Sequence, residues 1–264
     1  MELSIIIVNY NGKHYLEDCI KSISKFCTVT HEIIIVDNLS TDGSQLFIKE
    51  KFPSVVLIEN SENAGFAKAN NIGAQKAKGK NILLLNNDTI LMNEIDSLLA
   101  KLDRKEVGAI GIKMLNGDKE YTHSVGRFPT PIGLLKLTSL NEKRPDIVTG
   151  NFTKDEYEVD WIGGSFVLIT KENWDKVGGL DEDYFMYVED VDFCKKLQKE
   201  GKQILFCSNY SYIHFVGFNP SRELKLINGY KIYSSKHFSF VNATLAKISL
   251  TINHVYKRAF KNIR

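Results

Sequence analysis

The stretch Ser4-Ile5-Ile6-Ile7-Val8-Asn9-Tyr10-Asn11-Gly12 decides the fold of this 264-residue chain. A β-branched run with no polar alternation describes a strand buried on both faces, and such strands belong to parallel sheets covered by helices. Similar short apolar runs return at residues 32–36, 55–58, 82–85 and 107–112. Between them the apolar period lengthens to that of a helix: Tyr15-Leu16, Cys19-Ile20 and Ile23, then residues 44–51, 66–78 and 95–102. Thr41-Asp42-Gly43-Ser44 marks a helix start and Gly79 a helix end. Strand and helix in strict turn predict an α/β fold, a doubly wound, mostly parallel sheet flanked by helices.

The alternation fails after residue 113. Residues 114–158 carry Gly117, Gly126, Pro129, Pro131 and Gly133 and read as a loop-rich excursion. A strand at 165–169, a turn at Val177-Gly178-Gly179-Leu180, a helix from Glu189 to Glu200 closed by Gly201, and a strand at 203–207 follow. No repeat or linker composition interrupts the chain. We therefore expect one domain over 1–220, with a ligand-binding half at 1–113 and a second half at 114–220, and a basic helical extension at 221–264.

Composition excludes several classes. With 43% hydrophobic and 25% charged residues, the chain is neither disordered nor a disulfide-stapled miniprotein. A net charge of +2 gives no global pull toward nucleic acid. The charge is nevertheless uneven. From Leu224 to Arg264 there are eight basic residues and no acid, leaving 26 basic against 32 acidic residues, a net of −6, for the body. Four cysteines (Cys19, Cys27, Cys194, Cys207) lack metal-type spacing and read as buried free thiols. The start Met1-Glu2-Leu3-Ser4 lacks the features of a signal peptide, and no apolar run reaches the roughly 18 residues that span a bilayer. A cytoplasmic protein is expected.

Open α/β sheets bind ligands beyond the carboxyl ends of their strands. Here those ends are polar one after another: Asn9-Tyr10-Asn11-Gly12, Asp37-Asn38, Asn60-Ser61-Glu62-Asn63-Ala64-Gly65-Phe66 and Asn86-Asn87-Asp88. Asn and Asp after a strand also serve as turn residues and caps. Four ends alike favour a ligand, with Asp37 facing a ribose and Gly65 opening a helix N-terminus to phosphate. The first strand exit is not a G-x-G-x-x-G turn, and Gly73 to Gly79-Lys80-Asn81 does not fit a P-loop. Downstream, Glu189, Asp190 and Asp192 crowd a helix start behind the aromatics of Asp183-Tyr184-Phe185-Met186-Tyr187-Val188. Acids there complement the helix dipole, and one could equally act as a general base. Repulsion between neighbours raises a carboxyl pKa while the helix N-terminus lowers it, so sequence sets no direction. His214, in Tyr212-Ile213-His214-Phe215, is either a packed rim residue or a metal ligand.

Taken in order, these segments resemble the family 2 glycosyltransferases, in particular the rhamnosyltransferase-like branch. The matching pieces are residues 4–11, 36–44, 63–71 and 84–88, with Gly163-Gly164-Ser165-Phe166, Gly178-Gly179-Leu180-Asp181-Glu182 and Glu189-Asp190-Val191-Asp192. The resemblance implies a GT-A fold, an inverting mechanism and a nucleotide-sugar donor. It places Asn9, Tyr10, Asp37, Asn38, Asn63, Gly65, Asn70, Asn86 and Asn87 at the donor, and Asp88 and His214 on an Mg²⁺ or Mn²⁺ ion. It makes Asp190 the general base with Glu189 beside it, and puts Trp161, Gly163 and Gly164 along the acceptor. Asn86 and Asn87 stand where many relatives have carboxylates, which weakens the expected metal affinity.

The expected reaction is transfer of a sugar, first rhamnose from dTDP-rhamnose, to a saccharide or lipid-linked saccharide in bacterial surface polysaccharide synthesis. UDP-linked galactofuranose, glucose or N-acetylhexosamine are the alternative donors. A silent nucleotide-sugar-binding subunit is the alternative from another class, and a sugar nucleotidyltransferase is disfavoured by the lack of a Gly-rich basic first loop. The expected partners exclude nucleic acid. They include the inner face of the cell membrane, touched through the basic tail (Ile248, Leu250, Ile252, Val255 and Phe260 among Lys247, Lys257, Arg258 and Lys261), and a homodimer.

Overall fold

A computed structural model of the chain describes residues 1–215 and 222–261, without the side chains of 258–261. In chain order it contains β1 (Leu3–Asn9), α1 (Lys13–Phe26), β2 (His31–Asp37), α2 (Ser44–Lys51), β3 (Val56–Glu59), α3 (Gly65–Lys76), β4 (Asn81–Asn86), β5 (Thr89–Leu91), α4 (Asp96–Leu102) and β6 (Val107–Leu115). The second half adds β7 (Tyr121–Thr122), β8 (Val125–Gly126), α5 (Pro145–Thr149), β9 (Glu156–Val159), β10 (Trp161–Ile162), β11 (Phe166–Thr170), α6 (Lys171–Lys176), α7 (Glu189–Lys199), β12 (Gln203–His214), α8 (Arg222–His237) and α9 (Phe240–Lys261). The expected boundary between residues 220 and 221 lies outside the described residues.

The main sheet runs β3-β2-β1-β4-β11-β6-β12-β5. Ile5, Ile6 and Ile7 are each fully buried, because alternate side chains of β1 feed opposite layers. Ile5 and Ile7 meet Leu16, Cys19, Ile20 and Ile23 of α1, Ile48 of α2 and Leu98 of α4. Ile6 faces Ala67 and Ala74 of α3, Trp174 of α6 and Phe193 of α7. Helices thus cover both faces, and each buried Ile or Leu contributes on the order of 1.5–3 kcal/mol.

β3, β2, β1 and β4 are parallel, as is the pair β6–β12. The remaining partners depart from that pattern. β11 lies antiparallel between β4 and β6, and β12 carries antiparallel β5 and β9 on its outer side. The excursion at 114–158 therefore returns two strands to the main sheet, β7 against the end of β6 and β9 against β12. The Glu156-Tyr157-Glu158-Val159 run of β9 alternates polar and apolar residues because it is an edge strand with one wet face.

α8 and α9 do not stand apart. Ile227, Tyr230 and Tyr233 of α8 and Ala246 and Leu250 of α9 form one cluster with Leu134, Leu140, Tyr184, Val188 and Val191. All four cysteines are buried and free.

Candidate active site

A pocket of about 360 Å³ opens beyond the carboxyl ends of β4 and β6. Two features of the sheet build its floor. The chain leaves β4 at Asn86, turns through Asn87-Asp88 and enters β5, whose register sets Thr89 opposite His214 of β12. That register brings residues 126 positions apart together: Asp88 Oδ1 lies 3.1 Å from His214 Nε2, and the Phe215 amide donates to the Asp88 carbonyl. Asn86 Nδ2 is 3.2 Å from the same ring nitrogen, while Asn86 Oδ1 is buried without a partner.

The opposite wall is the start of α7. Val188 and the preceding Tyr187 both adopt left-handed backbone, with φ of 76° and 73°. For a β-branched residue that conformation is strained. The turn aims Glu189 and Asp190 into the pocket. Asp190 Oδ2 accepts from the Gly164 amide at 3.0 Å, and Oδ1 from the Val191 amide at 2.9 Å. Glu189 is 5% exposed, and its Oε2 has no partner. Burial raises the pKa of both carboxyls. Glu189 is pushed well above the usual range, with the Asp190 charge as the second cause. Desolvation thus decides the direction that sequence left open.

The other predicted residues divide into two groups. Trp161, Gly163, Gly164 and Asn86 line the pocket. The Trp161 indole donates to the Arg127 carbonyl at 3.0 Å. The residues after β1, β2 and β3 instead bond to one another. Asn87 donates to Asn9, Asn9 donates to Asp37, and Asp37 also accepts from the Ser40 amide and Gln45. Asn9 and Asp37 are fully buried. Asn38 donates to the Gly65 carbonyl and accepts from Asn60, Asn63 accepts from the Gly65 amide, and Asn70 donates to the Phe66 carbonyl. Tyr10 is exposed. Gly65 needs to be glycine: its φ is +80°, and a Cβ there would sit 2.5 Å from the Phe185 carbonyl oxygen. The Phe66 amide donates to that same carbonyl at 2.8 Å, which fixes the segment before Glu189 onto the first turn of α3.

Sequence reading missed His123 and Ser124, from the excursion, and Arg222, Leu226 and Tyr230 of α8, all of which line the pocket. The available signal was one glycine, Gly229, in the middle of an otherwise good helix, which marks close approach of another chain segment.

One carboxylate, one imidazole and one orphaned amide oxygen at one end of a pocket suit a hard divalent cation. Among the described residues no three His, Cys, Asp or Glu side chains converge as a metal cage. A cation here would complete its shell with ligand oxygens and water.

A doubly wound sheet with such a pocket at its carboxyl edge, an Asp–His pair at one side and buried acids at the other, defines the GT-A class of sugar-transferring enzymes. The match to the glycosyl transferase family 2 model over residues 4–158, more than half of the chain, places it within that class: the chain belongs to glycosyl transferase family 2 and is a glycosyltransferase. It is 26% identical over 240 residues to the N-acetylglucosaminyl-diphospho-decaprenol L-rhamnosyltransferase of Mycobacterium tuberculosis, covering 84% of this chain and 78% of that protein. It is 25% identical to the rhamnosyltransferase WbbL of Escherichia coli, covering 80% and 82%. Among solved structures, the mannosyltransferase PcManGT of Pyrobaculum calidifontis, in complex with GDP-Man and Mn²⁺, superimposes with a TM-score of 0.64 at 15% identity, over 99% of this chain and 75% of that one.

Proposed function

We propose that the chain is an inverting transferase that moves a sugar, first rhamnose from dTDP-rhamnose, onto a saccharide or lipid-linked saccharide for surface polysaccharide synthesis. One observation carries this reading: the Asp88–His214 pair and the Glu189–Asp190 turn border one pocket. The named activities of the mycobacterial and E. coli relatives support the sugar and the acceptor class.

The diphosphate would lie toward Asp88, His214 and Asn86, which would hold Mg²⁺ or Mn²⁺. When bound, that cation supplies charge neutralisation for the departing diphosphate. Tyr10 and the backbone around Asn63 and Gly65 would meet the nucleoside, with the bonded Asn9, Asp37, Asn38, Asn70 and Asn87 holding those loops. The acceptor would enter between Trp161 and the Gly163-Gly164 backbone. Asp190 takes the proton from its hydroxyl as the oxygen attacks the anomeric carbon and the bond to the diphosphate breaks on the far side. Configuration inverts in that single displacement. The Gly164 and Val191 amides fix the carboxylate for this role, so little of the attack geometry has to be found on binding. A raised pKa makes Asp190 a stronger base than an ordinary aspartate.

Incubating the protein with dTDP-rhamnose and with each UDP-sugar, with and without Mn²⁺, tests the reading. One donor should raise Tm and be converted to nucleoside diphosphate once acceptor is added. Stabilisation by none of them overturns it.

The same reading places the protein in the cytoplasm at the inner membrane face. Val241, Leu245, Ile248, Ile252 and Val255 recur at four- and three-residue steps along α9 and are 47–65% exposed. Cations without a single acid from Leu224 onward favour an anionic lipid surface over a second copy of the same basic segment. No helix among the described residues is long and apolar enough to cross a membrane.

A further inference from the structure

We infer that α8 is a strut of the catalytic turn, and that His237 is its positioning residue. The inference rests on the transferase reading for the role of Asp190, and on geometry alone for the strut.

Asp192 sits two residues beyond Asp190, in the first turn of α7. It is the third acid of the cluster, faces away from the pocket and is 1% exposed. A buried carboxylate needs a partner, and it finds one at the far end of α8: His237 Nε2 lies 2.6 Å from Asp192 Oδ1, with the imidazole 5% exposed. Lys199 Nζ stands 2.8 Å from His237 Nδ1. An ammonium only donates, so Nδ1 accepts and Nε2–H donates to Asp192. The Tyr184 hydroxyl donates to the same carboxylate oxygen at 3.2 Å. A second tie reinforces the first: Lys236 holds both Asp181 and Asp183 at 2.5 and 2.6 Å.

Eight residues earlier on α8, Gly229 lies directly against the strained pair. A Cβ at Gly229 would stand 2.7 Å from Val188 Cγ2 and 2.8 Å from the Tyr187 carbonyl oxygen. Two consecutive non-glycine residues at positive φ persist only where their surroundings over-determine them. α8 supplies that surrounding from both ends: Gly229 presses on the turn, and His237 pulls on the helix that the turn opens. Tyr230, next to Gly229, reaches the pocket itself.

Three full-length variants separate positioning from packing. His237→Phe keeps the ring volume beside Tyr233 but removes the donor, His237→Gln keeps a donor of similar reach, and Gly229→Ala pushes the turn from its other side. Hydrogen–deuterium exchange of the protein alone is followed over residues 184–192 and over β1 and β4 as reference. His237→Phe and Gly229→Ala should speed exchange at 184–192 by about tenfold or more with the reference strands unchanged, and His237→Gln should restore most of the protection. With donor and acceptor supplied, kcat should fall by as much as about 100-fold while the donor KM stays within about twofold. Wild-type exchange at 184–192 in His237→Phe overturns the strut. So does a uniform rise in exchange across the sheet in all three variants, which would mark ordinary destabilisation. The exchange measurement needs no substrate, so it decides this inference even if no sugar donor is ever turned over.

Discussion

Replacing Asp190 by Asn changes one atom, and the structure sets what that change should do. Asp190 accepts two backbone N–H groups, from Gly164 on one oxygen and Val191 on the other. Asn keeps one acceptor and turns an NH₂ toward the second amide, so one buried donor loses its partner at about 1–3 kcal/mol. Against that stands relief of a buried negative charge beside Glu189, whose own pKa that charge raises. The two effects oppose each other, and Tm should move by no more than about 2–6 °C. Turnover has no such compensation. General-base catalysis is worth about 10²–10⁴-fold, which adds about 2.7–5.4 kcal/mol to the barrier. The assay is nucleoside diphosphate release at saturating donor and acceptor, paired with the donor-induced rise in Tm. The variant should retain that rise and lose turnover. Turnover within about threefold of wild type would refute the assignment of the base, since a carboxamide cannot take the proton.

Other perturbations probe the same site and the surface of α9. The raised pKa of Asp190 moves the acid limb of kcat/KM above the ordinary carboxylate range near about pH 4, so activity should still be climbing with pH where a solvated aspartate would be fully ionised; a limb at the ordinary position contradicts it. The folded pKa of Glu189 lies above its unfolded value, so its contribution to stability is full below the unfolded pKa and lost as pH rises through the folded one. Glu189→Gln should therefore raise Tm at neutral and alkaline pH and leave it unchanged near about pH 4. His214→Ala should abolish the Mn²⁺-dependent part of donor stabilisation and spare the metal-free part, as read by thermal shift. Flotation with anionic vesicles should carry the wild-type protein but not the double variant Ile248→Glu, Ile252→Glu; equal flotation of both removes the membrane role of α9, and a change in mass by light scattering instead assigns that face to a second copy.

How far the sequence could be read depends on whether the signal is local. α2 begins at Ser44 and ends at Lys51 as the sequence predicts, because Gly43 at φ +81° and Asp42, which accepts from the Ser44 amide, mark its start in the chain itself. The buried run of β1 is equally plain. Strand direction is not local: Phe166–Ile169 is a uniform apolar run, and nothing in it says that it lies antiparallel between β4 and β6. β5, at three residues, is too short to announce itself, yet its register is what places Asp88 beside His214. The polar strand ends were visible, but not how they are used. Whether an Asn bonds a ligand or, like Asn9, its neighbours depends on which loops meet. The α8 contribution was hidden for the same reason, since Asp192 and His237 are joined across 45 residues.

The place of β11 has a consequence for how the protein can be divided. β4 and β6 never touch as neighbours in the sheet; the strand between them is made some fifty residues after β6. A fragment ending near residue 113 would leave β4 with an unpaired edge and β6 with no strand beside it, two open templates for intermolecular pairing. The seam between the halves is closed only by a strand from the second half, so dissecting the enzyme there should yield aggregates instead of an autonomous piece.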